Sequence, residues 1–476
     1  MENTGTLSPD IKHLITIEQA WAYRIIPTKT DGDMLYLDID SNQHIEEIKE
    51  ELEIVFEKKI QLNVKTVEFI EKLLNINYYK SQQNSIQVEA VQLSVTEGDF
   101  IESLIKEAKG LRSSDIHIEI YDDTCRIRYR VDGQLIERHK VAKVEYPLLI
   151  NKIKIDAKCD ISEKRLPQDG RIRYKFNNQN LDIRVSILPT LYGEKIVLRL
   201  LGNDASHIDI LKLGFTEAEL ERYQLAIQKK HGIILISGPT GSGKTTTLYA
   251  TLKILNKPHS NVLTIEDPIE YTLDGVNQVQ LKDDIGLTYA EALRTFLRQD
   301  PNIIMLGEIR DPETAQMAIR MALAGHLVLS TIHTNSAWGT ISRLIDMGVP
   351  AYFLANTINL SVAQRLIRIL CPHCKVSKPL SQAELPKGVD NVTINSQYKP
   401  HGCNQCYHTG YKGRKAVYEV ININKELSER IKEQQGSIND YCKLNKISTL
   451  AENMLELFIQ GETSLDEIYP YLIHEN

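Results

Sequence analysis

A chain of 476 residues amounts to about three domains at roughly 100 to 200 residues each, which excludes a small disulfide scaffold or a single module. Its 42% hydrophobic and 25% charged residues exclude collagen-like, low-complexity and wholly disordered classes. The 56 Lys and Arg against 63 Asp and Glu leave a net charge of −7, so no global positive field recruits nucleic acid, which is not the expected partner.

No run approaches the roughly eighteen apolar residues needed to span a bilayer, and Met1-Glu2-Asn3-Thr4 lacks the basic and apolar parts of a secretory signal. The expectation is a cytoplasmic chain. In residues 1–80, the alternating Leu35-Tyr36-Leu37-Asp38-Ile39 predicts a strand, and Ile45, Ile48, Leu52 and Val55 recur at helical spacing, so this is read as a small α/β domain. The polar Ser81-Gln82-Gln83-Asn84-Ser85 marks a linker over 81–95. Residues 96–205 read mainly as strand. Arg126, Arg128 and Arg130 alternate with Ile127, Tyr129 and Val131, which puts three guanidinium groups on one face, either solvated or facing an anion. Arg171, Arg173, Arg184 and Arg199 lie in further strand-like stretches, and Leu166 to Arg171 reads as a turn.

From 213 to 365, apolar runs such as Ile233-Ile234-Leu235-Ile236 and Ile303-Ile304-Met305-Leu306 alternate with helical segments, the pattern of a mostly parallel sheet covered on both faces. Residues 366–415 hold four paired cysteines. The remainder, 416–476, reads as helical, with a capping-box sequence at Ser464-Leu465-Asp466-Glu467.

The sharpest motif is Gly238-Pro239-Thr240-Gly241-Ser242-Gly243-Lys244-Thr245, followed by Thr246, between an apolar strand and a helical stretch. Its glycines let backbone amides curl around phosphate oxygens at a helix start, Lys244 neutralises the terminal phosphates, and the Thr245 hydroxyl reaches Mg²⁺. Hydrolysis needs an acid that positions water. Glu308 follows the strand Ile303–Leu306 directly after Gly307, and Glu266, Asp267 and Glu270 follow Val262-Leu263. Each acid alone could be an ordinary surface charge; together with the phosphate loop they point to ATP hydrolysis. His326 and His333 flank a third apolar run, Leu327 to Ile332, where a histidine could sense the terminal phosphate or simply be a bonded core residue. Cys371, Cys374, Cys403 and Cys406 form two C-x-x-C pairs that suit a four-thiolate structural Zn²⁺ site, with His373, His401 and His408 as possible substitutes.

Four motifs in order carry a resemblance: Ser237 to Thr247, Thr264 to Tyr271, Leu297 to Asp311 and Gly325 to Asn335. Over roughly residues 100–470 the chain resembles the type II secretion and type IV pilus assembly ATPases, hexameric motors of the RecA-like class. The resemblance implies a RecA-like P-loop NTPase domain, preceded by smaller α/β, PAS-like N-terminal domains and followed by a four-cysteine zinc subdomain and a helical C-terminal region. It further implies that Glu308 polarises the attacking water and that Glu266, Asp267 and Glu270 support metal and water, while His326 and His333 link the γ-phosphate to subunit movement. Arg184-Val185-Ser186 and Val197-Leu198-Arg199-Leu200 match family segments, so Arg184 and Arg199 would close over the phosphates, and Arg294 and Arg298 resemble arginines placed near the nucleotide. Asn302 and Ala324 stand where Asp and Thr are commoner. The implied partners are five further copies, an inner-membrane platform protein and, through the N-terminal domain, a membrane-anchored cytoplasmic adaptor. The implied location is the cytoplasm, peripheral to the inner membrane. The rival expectations are a pilus retraction ATPase and a DNA-uptake or conjugation-type translocase; a non-hydrolysing scaffold is opposed by the presence of Glu308 and Glu270.

Overall fold

The computed structural model describes residues 7–473 apart from 8, 13, 16, 33, 42–44, 57, 79–90, 93–99, 177–178, 202–207, 381–384, 387–393 and 395. The expected linker 81–95 therefore lies outside the described residues except at 91 and 92. Two units are distinguished, one made of Met1–Glu89, His373–Gly410 and Tyr469–Asn476, the other of Ala90–Pro372 and Tyr411–Ile468.

The alternation near residue 35 becomes the middle strand of a three-stranded sheet: β1 (Ile25–Asp31) and β2 (Met34–Asp40) run antiparallel, and β3 (Lys59–Lys65) joins β2 in parallel. A parallel pair needs a crossover, and the helix Ile45–Phe56 supplies it with Ile48, Leu52 and Phe56 against the core. Val55, expected on that face, is 41% exposed, because Phe56, four residues after Leu52, takes the inward place.

A second sheet, in the other unit, contains β4 (Val91–Gln92), β5 (Asp115–Ile120), β6 (Cys125–Val131), β7 (Gln134–Val141), β8 (Gln168–Phe176), β9 (Gln179–Thr190) and β10 (Gly193–Leu201), in the order β4-β7-β6-β5-β10-β9-β8. The alternation in β6 holds, with Ile127 and Tyr129 buried and the three arginines on the opposite face. That face is not bare positive charge. Glu119 of β5 accepts from Arg126 at 3.1 Å and Arg128 at 2.8 Å and pairs with Lys195 at 3.0 Å, while Asp115 pairs with Arg130 at 3.4 Å and Arg199 at 3.0 Å. Burial works to raise the pKa of Glu119, but these cationic donors outweigh it and hold the carboxyl at about 2. The turn expected over 166–171 ends sooner, since β8 begins at Gln168 and Gly170 already pairs with Val185. A Cβ on Gly170 would stand 2.6 Å from the Ala157 carbonyl oxygen and from the Cys159 Sγ, so the strand passes here only as glycine.

The third sheet is built from β11 (Gly232–Ser237), β12 (Val262–Glu266), β13 (Asn277–Gln280), β14 (Ile303–Leu306), β15 (Leu327–Ile332) and β16 (Ile358–Leu370). After the short hairpin β17 (Val376–Pro379) and β18 (Ser396–Lys399), β19 (Tyr411–Asn422) completes it. Its order is β13-β12-β14-β15-β11-β16-β19, parallel except for β19 against β16. β11, β12, β14 and β15 are buried throughout, as a sheet covered on both faces requires. Residues 416–422, expected to be helical, are strand; Ala416 to Ile421 are all buried, and a short apolar run buried on both faces carries no period that separates strand from helix. At Ser464 half the capping box forms: its hydroxyl receives the Glu467 amide at 3.4 Å, whereas the Glu467 carboxylate turns to Arg368 at 2.5 Å.

Candidate active site

Four parallel strands, β12, β14, β15 and β11, lie side by side in register, so the residues just past their carboxyl ends share one edge of the sheet. That edge is where open α/β sheets bind ligands. It collects the phosphate loop after Ser237, Asp267 after Glu266, Glu308 after Leu306, and His333 after Ile332.

The loop itself is shaped by its glycines. Gly238 has φ of +149°, and a Cβ there would meet the Gln364 carbonyl oxygen at 2.4 Å; Gly243, at φ of +88°, is the left-handed cap from which the helix Lys244–Leu255 starts. Pro239, Thr240 and Gly241 are exposed at the crest, Ser242 is buried, and Thr245 and Thr246 begin the helix with Thr245 open to solvent. The helix thus aims its free amides at this edge. Lys244 is folded back, donating to the carbonyls of Gly238 at 2.7 Å and Pro239 at 3.0 Å. Burial pulls its pKa down to about 8, opposed by the attraction of Glu308 and reinforced by the charge of Arg365. A buried, poorly solvated ammonium gains most from an incoming polyphosphate.

Glu308 lies 3.3 Å from the Nε2 of His333 and forms an ion pair with Arg310. Gly307 leaves space beside it that a Cβ would narrow to 3.0 Å from the Tyr289 hydroxyl, a buried group with no hydrogen-bond partner among the described residues. The three acids after β12 separate in character. Glu266 is buried and accepts from Tyr249, from Thr264 at 2.6 Å and from Gln278 at 3.1 Å, whereas Asp267 is exposed and Glu270 half-buried. Tyr249 in turn receives the Glu270 amide at 3.2 Å, so Glu266 orders the loop that carries the other two acids.

Of the other expected residues, His326 sits at the opposite end of the sheet and the arginines are each held by partners of their own. His326 precedes β15 and sits at the amino end of the sheet, its Nδ1 2.8 Å from the Pro301 carbonyl oxygen. The six residues of β15 put it roughly 20 Å from His333 at about 3.3 Å per residue. The two expected histidines thus stand at opposite ends of β15, and it is His333 that lies beside Glu308. Arg184 donates to the Ile269 carbonyl at 2.9 Å, in the loop after β12, so the second sheet already touches the acidic loop. Arg199 is more than half exposed and held by Asp115. Arg294 pairs with Glu291 and Glu313, and Arg298 bonds within its own helical turn.

Residues 92–470 match the type II/IV secretion system protein family. The chain is 45% identical over 372 residues to the putative type II secretion system protein E of Escherichia coli (strain K12), which covers 78% of this chain and 75% of that one. It is 44% identical over 380 residues to the type IV pilus assembly ATPase PilB of Myxococcus xanthus (strain DK1622), covering 78% and 66%. The chain belongs to the type II/IV secretion system protein family. Among solved structures, the pilus retraction motor PilT with bound ADP has a TM-score of 0.53 at 26% identity over 78% of this chain and 96% of that one. The ATPase DotB of Legionella pneumophila, at 22% identity, has a TM-score of 0.60 over 81% and 97% and shares the fold.

This secretion ATPase is an ATP-hydrolysing enzyme with an α/β, RecA-like P-loop core. Three of its buried residues that hold the site were not singled out from sequence. Tyr249 is one. On β16, Gln364 accepts from Thr247 at 2.9 Å and donates to the Ser242 carbonyl at 2.9 Å, and the Arg365 guanidinium would lie 3.0 Å from a Cβ on Gly238. Gln364 lies 122 residues after Ser242 and 117 after Thr247, and β16 meets the loop through the β11–β16 pairing; no local pattern marks these two residues.

The sulfurs of Cys371, Cys374, Cys403 and Cys406 lie within 4.8 Å of one another, and Cys406 is 3.7 Å from both Cys374 and Cys403. A zinc tetrahedron with bonds of about 2.3 Å has an edge of about 3.8 Å, so the donor set fits that ion in type and spacing. Amides of Cys403 and Gly410 point at the Cys406 sulfur at 3.2 and 3.3 Å, as thiolates require.

Proposed function

We propose that this ATPase is a homo-hexameric motor that powers assembly of a type IV pilus or a type II secretion pseudopilus through an inner-membrane platform protein. The observation that carries the reading is the placement of Glu308 and His333 at the carboxyl ends of adjacent strands β14 and β15, beside the loop that bears Lys244. In this reading the loop amides from Gly238 to Thr246 cradle the phosphates and Lys244 leaves its carbonyl partners for the terminal ones. Glu308 orients the attacking water, and His333, bonded to it, registers whether the γ-phosphate is present. Mg²⁺ would supply positive charge that offsets the charge on the phosphates; the Thr245 hydroxyl, Asp267 and Glu270 are the groups that would hold it, with Glu266 ordering their loop. Arg184 and Arg199 close from the second sheet over the triphosphate, favouring a shut arrangement with ATP that is weakened after cleavage. Arg294 and Arg298 serve a nucleotide only if their present partners release them. His326 fixes the start of β15.

The four cysteines hold a structural zinc, since a full set of thiolates leaves no ligand position for chemistry. Three sheets that lie mostly within 1–80, 96–205 and 213–365 support those segments, whereas β16 and β19 of the third sheet run across the boundaries expected at 365/366 and 415/416. Among the described residues no helix is long and apolar enough to cross a membrane. A cytoplasmic position against the inner membrane, with an adaptor bound by the first segment, fits the named activities of the relatives. The cysteine pairs and the β1–β3 sheet favour assembly over retraction. The test is Glu308→Gln, expected to bind ATP and lose turnover; near-normal hydrolysis rejects the site, and DNA-stimulated turnover in the native chain would replace the motor with a translocase.

A further inference from the structure

Residues 334–338, which follow His333, have no regular structure, yet their backbone is gripped at successive positions. The Asn335 carbonyl accepts from the Arg365 guanidinium at 2.8 Å, and the Ala337 amide donates to the Glu419 carboxylate at 2.7 Å. The Ala337 carbonyl accepts the hydroxyls of Ser361 at 2.7 Å and Thr340 at 2.9 Å, and the Ser336 carbonyl accepts that of Thr334 at 3.0 Å. Arg365 and Glu419 are only 4% and 6% exposed. They stand on paired antiparallel strands: Glu419 lies opposite Ala363, two residues from Arg365, so both side chains leave the same face of the sheet. Apolar residues of similar volume would cost less here if the role were stability alone.

Arg365 also touches the nucleotide loop from below. Its guanidinium lies where a Cβ on Gly238 would come within 3.0 Å, and it donates to the Gln364 carbonyl at 3.0 Å, beside the side chain that holds Ser242 and Thr247. One side chain therefore packs beside the first glycine of the phosphate loop and bonds the segment that carries His333. Glu419 receives the Leu450 amide at 3.4 Å through its second oxygen, so the same segment is joined to the start of the helix Leu450–Ile459.

We infer that Arg365 and Glu419 are positioning residues for ATP hydrolysis, holding the backbone of residues 334–338 so that His333 stands against Glu308. This rests on the reading of Glu308 and His333 given above. Neither residue reaches the reacting atoms; each acts through the loop, where a displacement of about 1 Å costs up to about a hundredfold in rate.

The test uses the full chain and compares Arg365→Lys, His333→Ala and the double variant in steady-state ATPase rate and in affinity for a fluorescent ATP analogue. A lysine keeps the charge but not the planar fork that serves two carbonyls. Arg365→Lys is expected to lower kcat by about 10- to 100-fold with affinity changed less than about twofold, and the double variant to be no slower than His333→Ala. Multiplying losses, or a loss of affinity as large as the loss of kcat, overturn the inference. Glu419→Gln gives a second cycle with the same expectations. If both variants lose cooperative thermal unfolding, the two residues are structural and the inference also falls. Glu308→Gln measured alongside separates the two readings, because turnover in that variant discards the site assignment whatever Arg365 does.

Discussion

Glu119 is the point at which the electrostatics of the second sheet can be tested by number. It is 2% exposed and answers three cations, Arg126, Arg128 and Lys195. Burial raises its pKa and the cationic donors lower it further, to about 2 against an ordinary value of 4.5. At 1.36 kcal/mol per pK unit the ionised carboxylate contributes about 3 kcal/mol of folded-state stability. Because the folded pKa lies below the unfolded one, this contribution is complete above pH 4.5 and is lost as pH falls toward 2, with roughly half gone by pH 3. Glu119→Gln should therefore lower the thermal midpoint of the roughly 340-residue unit that holds it by about 4 °C at pH 7, and the gap between the two proteins should shrink by about half at pH 3. Scanning fluorimetry of both proteins across pH 3–7 measures this, and the difference cancels titrations they share. A gap as wide at pH 3 as at pH 7 would refute the argument, since it would mean that packing rather than charge accounts for the loss.

Other consequences are open to direct measurement. Cys403→Ser should purify with less than one zinc per chain and melt earlier than the native protein, and a strong chelator should reproduce the shift in the native chain but not add to it in the variant. Gly170→Ala should cost about 1–3 kcal/mol by overpacking against Ala157 and Cys159, read as a lowered denaturation midpoint. Arg199→Ala should cut ATP turnover about tenfold or more while leaving the melting point within about a degree, because its pair with Asp115 is solvent-exposed on the arginine side; an unchanged rate removes Arg199 from the phosphate site.

What could be read from the residues alone divides by how locally each feature is encoded. The phosphate loop occupies one stretch, where glycines at Gly238 and Gly243 and the following Lys244 have one physical purpose, and the structure shows that stretch as a strand, loop and helix. Glu308 and His333 were also legible, each as a polar residue ending an apolar run, because parallel strands in register bring such ends together without further information. His326 shows the limit of that argument. It flanks the same run as His333, but at the end where β15 begins, and a strand separates its two ends by its whole length.

The arginine face failed for a different reason. Alternation correctly placed Arg126, Arg128 and Arg130 together, yet it is blind to the neighbouring strand, and only the β5–β6 pairing reveals that Glu119 and Asp115 meet them. The charge an incoming anion meets is therefore the remainder after internal pairing, so a count of arginines overstates it. The same logic governs the supports of the catalytic edge. Arg365 and Gln364 lie in an apolar run that reads as core, and Glu419 in another; their polar character is a liability that gains sense only when β16 is laid beside β11 and beside β19. Residues that touch phosphate must match phosphate chemistry and so carry a pattern, whereas residues that hold those residues in place need only match one neighbour in one fold.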